Sequence, residues 1–284
     1  MNIASLALRL RKRIATPIQI RALLKHENQD VQLLGRALEA MRSRRFSPEE
    51  QARISAIEAR RAALCASQEI VQVEDFGAGG PADTLTTSAQ QTGRTVAEVV
   101  GDSCRNYSKP PQWAALLFHL VRQFQPGTCI ELGTCLGISA AYEGAALALN
   151  GRGRLVTMEG CKAFAAIAAE TVAGLGLSPQ VSIVAGPFHH TLGRTLGELG
   201  RVDYAFIDGH HDEEATVRYF EQLLPSLGER AVLVFDDIQW SPGMRRAWAT
   251  VCRHPRVAVA VDLRTVGVCL TGVGAKLRRT VVME

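Results

Sequence analysis

Five acidic residues, each at or near the end of a short apolar run, are the best placed in this chain to do chemistry: Glu131 in TCIELGTCLGIS, Glu159 in RLVTMEG, Asp208 in YAFIDGHH, and Asp236 and Asp237 in AVLVFDDIQW. Around the first of them, the spacing Glu131-x-Gly133-x-x-x-Gly137 reads as a strand, a tight turn and a helix start. The two glycines let the backbone bend sharply and approach a ligand closely, and Ser139 falls in the first helical turn, where backbone amides are still unpaired. The loop lacks the three-glycine Gly-x-Gly-x-x-Gly pattern of pyrophosphate sites. Glu159 follows Glu131 by 28 residues. A carboxylate on the tip of the neighbouring strand accepts both hydroxyls of a ribose, which selects a nucleoside over other small ligands. Glu131 either bonds the loop amides or receives a cationic group of the ligand. Singly, each acid reads as a solvated or capping residue; in phase with two strands, the pair favours a nucleoside site.

Asp208, Asp236 and Asp237 form a second group. Adjacent strand tips lie about 5 Å apart, so these carboxyls converge beside the same crevice. Like charges that close raise one another's pKa unless a proton or a divalent cation is held there. His210 and His211 follow Asp208 directly. A neutral imidazole at His211 is suited to taking a proton from a substrate hydroxyl, and its bland alternative is to cap the next helix or bond Asp208. His210 is counted with Trp240 toward the substrate: Ser241-Pro242 should start a helix, leaving Trp240 to project from the preceding loop and wall the pocket. Arg245 and Arg246 on that helix are candidates for attracting an acidic substrate. His189 and His190 are weaker candidates on a surface helix.

Such acids need a scaffold that brings separate strand tips to one edge. The runs TCIEL, RLVTME, QVSIVA, VDYAFID, RAVLVFDD, VAVAVDL and TVGVCL supply it. Strands alternating with helix-length segments imply right-handed crossovers and an α/β, doubly wound, Rossmann-like fold with a mostly parallel seven-stranded sheet. Only Arg264 and its neighbours separate the last two runs, too few for a crossover helix, so those strands turn back as an antiparallel edge. Residues 1 to about 72 read as an N-terminal helical layer, with Ile20, Leu23, Leu24, Val31, Leu33, Leu34 and Leu38 largely on one face. Within it Ser47-Pro48-Glu49-Glu50 has the form of a capped helix start. The Gly-, Ser- and Thr-rich stretch from Asp75 to Gly93 follows. The chain thus divides into residues 1–106, a helical lid or dimerisation segment with its connector, and 107–284, the ligand-binding domain.

The 284 residues, 47% hydrophobic and 21% charged, allow one large domain with an appendage and exclude collagen-like, disordered and coiled-coil chains. No apolar run approaches the roughly 20 residues of a membrane span. The start, MNIASLALRLRKR, lacks the order of a secretory signal; its Arg-rich, acid-free character leaves an organellar transit peptide as the alternative. Six basic residues precede Glu27, and with a net charge of +4 the remainder is slightly acidic. A nucleic-acid partner is therefore not expected. The seven cysteines form no Cys-x-x-Cys pair, which points to thiols in a reducing, cytoplasmic compartment.

On ELGTCLGIS and TMEG, residues from about Tyr107 to Leu270 resemble a class I S-adenosylmethionine-dependent methyltransferase, in the small-molecule O-methyltransferase-like branch. The upstream VEDFGAGG is similar to a segment that precedes the core in some bacterial members. The resemblance implies S-adenosyl-L-methionine as cofactor, with Glu131, Gly133 and Gly137 around its methionine part and Glu159 on its ribose. Ser139, Gly160 and Asp208 are counted among the cofactor contacts. One departure is Pro187, where the family often has an acid near the adenine, so adenine is expected against apolar groups such as Phe188. Metal-dependent catechol-type members carry an Asp after the fourth strand and Asp-Asn after the fifth. Asp208, Asp236 and Asp237 match that set, with Asp in the third place, and imply Mg2+ or another divalent cation. No Lys base stands close in sequence to Asp208. The implied reaction is methyl transfer to a small-molecule hydroxyl, with nitrogen as the alternative acceptor. A metal at the three acids would acidify the hydroxyl; without one, His211 or Asp208 is the base. The competing readings are a non-catalytic nucleoside-binding regulator and a nicotinamide-dependent oxidoreductase, the latter opposed by the glycine spacing. Nucleic-acid methylation lacks both an Asn-Pro-Pro-Tyr-like motif and a basic surface. A homo-oligomer is expected.

Overall fold

The computed structural model describes residues 17–76 and 94–272, together with the backbone of 277–280. The basic start and most of the Gly-rich connector lie outside the described residues. All seven apolar runs are strands: β3 (Thr128–Leu132), β4 (Arg154–Glu159), β5 (Val181–Ala185), β6 (Val202–Ile207), β7 (Leu227–Phe235), β8 (Val257–Asp262) and β9 (Gly267–Thr271). They are preceded by a separate antiparallel hairpin of β1 (Ile70–Asp75) and β2 (Arg94–Val99), and followed by a short β10 (Leu277–Thr280). The main sheet has the order β10-β8-β9-β7-β6-β3-β4-β5. Only β9 runs against its neighbours β7 and β8, so the expected antiparallel edge is present, with β10 added in parallel beyond β8. The order reverses between β3 and β6, and the crevice of an open parallel sheet lies at that switch point.

Alternation along the strands sends side chains to two cores, as burial on both faces requires. Cys129, Leu155, Tyr204, Phe206, Val232 and Val234 face one side, where the helices Gln29–Ser43, Pro48–Ala66, Pro111–Phe124 and Ile138–Asn150 pack. Ile130, Leu132, Met158, Ala205, Ile207 and Leu233 face the other, against Phe188–Leu199, Glu213–Leu223 and Pro242–Arg253. The N-terminal helices therefore share the first core, and the helix Val100–Tyr107 runs across the 106/107 boundary expected from sequence. Helix Pro48–Ala66 starts in the expected way. Ser47 Oγ accepts from the Glu50 amide, and the Glu50 carboxylate accepts from the Ser47 amide. The expectation of helix to about residue 72 is corrected: the helix ends at Ala66, and Ile70-Val71-Gln72-Val73, a β-favouring run, pairs with β2. None of the seven cysteines is in a disulfide.

Candidate active site

The turn after β3 is shaped by two left-handed glycines, Gly133 with φ 105° and Gly137 with φ 84°. The Gly133 and Thr134 amides both donate to the Met158 carbonyl, and the Asp208 amide donates to Leu132, which ties the tips of β3, β4 and β6 together. A Cβ on Gly133 would lie 2.1 Å from the Asp208 carbonyl oxygen. By contrast, Gly151 has φ 65° but nothing within 4 Å of its would-be Cβ. Gly151→Ala is expected to cost about 1 kcal/mol from its backbone alone. Gly133→Ala is expected to cost clearly more and to displace Asp208, as read by thermal unfolding of the two variants; equal losses would refute the crowding argument.

Glu131 is fully buried at the end of β3. Its Oε2 accepts from the Thr157 hydroxyl at 2.5 Å, and Thr157 is in turn hydrogen-bonded to Thr134. Burial raises its pKa, while the Ser139 and Thr157 hydroxyls act in the opposite sense. Its other oxygen, Oε1, is buried with no hydrogen-bond partner among the described residues. An orphaned acceptor of this kind fits an ammonium donor on a ligand, as the methionine end of S-adenosylmethionine carries.

Glu159, at the tip of β4, accepts from the Cys135 amide at 2.7 Å through Oε2 and from the Cys161 amide at 2.9 Å through Oε1. The Gly160 amide also faces this carboxylate, whose two oxygens offer about four acceptor positions. Burial lifts its pKa to about 7 against the lowering effect of those amides. Gly160 beside it has no room for a side chain, because a Cβ would meet the Phe76 ring at 2.8 Å. Phe76, just past β1, thereby packs beside the tip of β4. Sequence reasoning missed it; the only signal was its place in VEDFGAGG.

Phe188 departs from expectation. Its ring is 6% exposed, part of the second core, and packs on His210 and Tyr219 with centroids 5.6 and 5.7 Å away. It also lies under Gly209, where a Cβ would meet it at 2.6 Å. It supports the turn after β6 from below and offers no open face to an adenine. His210 belongs to the same cluster: its Nδ1 bonds the Tyr219 hydroxyl at 3.0 Å, and burial lowers its pKa to about 4. It is a packing residue turned away from the acids, and the substrate role expected for it has no support in this geometry.

His211, one residue on, points the other way. Its Nε2 is 3.6 Å from Asp208 Oδ1 and its Nδ1 3.9 Å from Asp237 Oδ2. These are distances that tighten on ligand binding in many enzyme sites. The Trp240 ring stands 6.3 Å from its own and is 43% exposed. Cys135, His210, His211 and Asp237, four of the seven non-glycine residues with positive φ among the described residues, all sit at these strand tips. Such strain persists only where the surroundings impose it, commonly at ligand sites. Arg245 and Arg246 on the helix after Trp240 are engaged elsewhere, Arg246 on Glu213 and Arg245 on the Gln239 carbonyl. His189 and His190 are exposed on their helix.

The residue that sequence reasoning missed altogether is Lys109. Its Nζ donates to Asp236 Oδ2, 127 positions away in the chain, and lies 3.3 Å from Asp208 Oδ2. Asp236 is 1% exposed and Lys109 9%. Burial raises the Asp208 pKa, and the ammonium counteracts that rise. This arrangement corrects the expectation of Mg2+ or another divalent cation on Asp208, Asp236 and Asp237. An ammonium already fills the space between two of the three carboxylates, and the third, Asp237, turns to His211. Among the described residues no group of three or more His, Cys, Asp or Glu side chains is disposed to hold a metal ion. The residues present do not fit the cation.

Residues 130–238 match the protein family described as a methyltransferase domain. A catechol O-methyltransferase from Niastella koreensis is 31% identical over 132 residues, 46% of this chain and 58% of that protein's length. Among solved structures, the O-methyltransferase from Bacillus cereus, in complex with S-adenosylhomocysteine, aligns with TM-score 0.53 at 23% identity, covering 58% of this chain and 83% of that one. An O-methyltransferase from Streptomyces achromogenes, in complex with S-adenosylmethionine, aligns with TM-score 0.50 at 24% identity, covering 58% and 82%. The fold is that of these O-methyltransferase structures.

Proposed function

We propose that this chain transfers a methyl group from S-adenosyl-L-methionine to a hydroxyl of a small molecule. One juxtaposition carries the reading: the Gly133–Gly137 turn, the Glu131 and Glu159 carboxylates, and the Asp208-His211-Asp237 group meet at a single switch point of the sheet. The catechol O-methyltransferase relative and the class I fold support the same chemistry.

Glu131 Oε1 would take the cofactor's ammonium and Glu159 its ribose hydroxyls. The free amides at the start of helix Ile138–Asn150 and the close backbone at Gly133 complete the cradle. When bound, the cofactor supplies an electrophilic methyl: a lone pair of the acceptor oxygen forms the new C–O bond, and the C–S bond breaks with its pair going to sulfur. His211 takes the hydroxyl proton and later releases it to water. Asp208 and Asp237 hold the imidazole in place between them, and Trp240 excludes water and aligns the acceptor, which is most of what an in-line displacement requires.

Small-molecule specificity and a contact with a second copy of the chain are assigned to the N-terminal layer, where Ile18, Ile70 and Tyr107 are large apolar side chains left exposed. A cytoplasmic location accords with seven scattered cysteines and no disulfide. No helix among the described residues is long and apolar enough to cross a membrane.

Titration calorimetry of the purified chain with S-adenosylhomocysteine and, separately, NAD tests the reading. Binding of the former alone is expected. Binding of NAD alone would restore the oxidoreductase, and binding of S-adenosylhomocysteine with no methyl transfer to any hydroxyl or amine in a broad acceptor panel would favour a regulator.

A further inference from the structure

The Lys109 ammonium occupies the position that a bound cation takes when strand-tip carboxylates converge, and it comes from an unexpected quarter. It lies in the short link between helices Val100–Tyr107 and Pro111–Phe124, on the side of the N-terminal layer. The residue before a proline is confined to extended backbone, and here two prolines follow, Pro110 as helix cap and Pro111 as the first helical residue. The main chain under Lys109 is thus fixed. Its stem is buried, its ammonium lies 5.9 Å from the centroid of the Phe206 ring, and two of its three N–H groups are directed to Asp236 and Asp208.

We infer that Lys109 is the resident cation of this site: its ammonium replaces a divalent metal between Asp208 and Asp236, and its remaining N–H receives the oxygen of the methyl acceptor. Three carboxyls near one crevice need a compensating charge, and a lysine held by rigid backbone supplies it permanently. A divalent ion entering the same space would meet a fixed positive charge at contact distance and would have to strip Asp236 Oδ2 and Asp208 Oδ2 from it. Lys109 also leaves His211 free to act as base, since Asp208, one of the two carboxylates that orient the imidazole, is partly neutralised from behind. The acceptor-binding clause rests on the methyl-transfer reading; the replacement of the metal does not.

The test uses Mn2+ alone as probe, with the free ion followed by electron paramagnetic resonance during titration of the full chain. The wild type is expected to take up no Mn2+ at millimolar concentration. Lys109→Ala and Lys109→Met, the second keeping most of the buried stem, are expected to gain one bound equivalent, lost again when Asp236→Ala is added. Uptake by the wild type that disappears in Asp236→Ala, or no uptake by either folded Lys109 variant, would overturn the assignment; the wild-type arm does not depend on the variants folding. Calorimetry with S-adenosylhomocysteine, expected to be unchanged in Lys109→Met, separates this result from a failure of the cofactor reading. Methyl transfer by the wild type is expected to be insensitive to chelator, and Lys109→Met is expected to lose kcat tenfold or more. A chelator-sensitive wild type would count against Lys109 as the cation.

Discussion

His211→Ala is expected to lower kcat for methyl transfer by about 100- to 10,000-fold, the usual worth of a positioned general base, with the affinity for S-adenosylhomocysteine unchanged. The imidazole lies between Asp208 and Asp237, on a backbone held at φ 46°. On taking a proton the imidazole would become a cation, and the two flanking carboxylates would pair with it. Asp208, the other candidate, already shares its two oxygens between Lys109 and His211. The variant should fold, because the ring is partly exposed and its contacts are to side chains at the crevice. Radiolabelled methyl transfer under single-turnover conditions is the appropriate measurement. A rate within threefold of wild type would transfer the role to Asp208.

Glu159→Gln should weaken S-adenosylhomocysteine by roughly 100-fold in calorimetry. A hydrogen bond to a charged group is worth about 1.5–3 kcal/mol, and the substitution touches both oxygens. One ribose hydroxyl loses a charged acceptor, and the new amide group is set against the Cys135 or Cys161 amide, which also needs an acceptor. The same carboxyl makes affinity pH-dependent. With its pKa raised to about 7 in the unliganded protein, it is ionised above that value and accepts from the ribose. Below it, the carboxyl is protonated and a proton must leave before both hydroxyls can donate. Affinity is therefore expected to be level above pH 7 and to fall as pH drops, by up to about tenfold per unit from this group, with a shallower fall in Glu159→Gln, where Glu131, also raised by burial, still titrates. A wild-type profile flat from pH 8 to pH 5.5 would show that Glu159 does not contact the ligand.

Much of this was readable along the chain, because the signals are local. Seven strands were visible as apolar runs of the right length, the Gly133 turn as glycines at a strand-to-helix junction, and the Ser47 and Ser241 helix starts as capping patterns. Glu131 and Glu159 were legible because strand phase alone carries a residue at a given offset to the carboxyl end of the sheet. The strand β1 was not, since a short alternating run just after a long helix has no marker of its own until β2 pairs with it.

Side-chain direction and long-range pairing were decided only by tertiary structure. His210 and His211 are adjacent, yet their backbones send one into the Phe188 and Tyr219 cluster and the other between two carboxylates. Phe188 stands at the position expected for an adenine contact but is consumed by packing, because the turn after β6 has to rest on something. Lys109 is the clearest case. Ser-Lys-Pro-Pro carries no catalytic pattern, and its meaning arises only when the sheet brings Asp236 to it across 127 positions. Local periodicity and turn chemistry are written in neighbouring residues, whereas the charge balance of a buried cluster depends on which distant groups the fold packs into the same few ångströms.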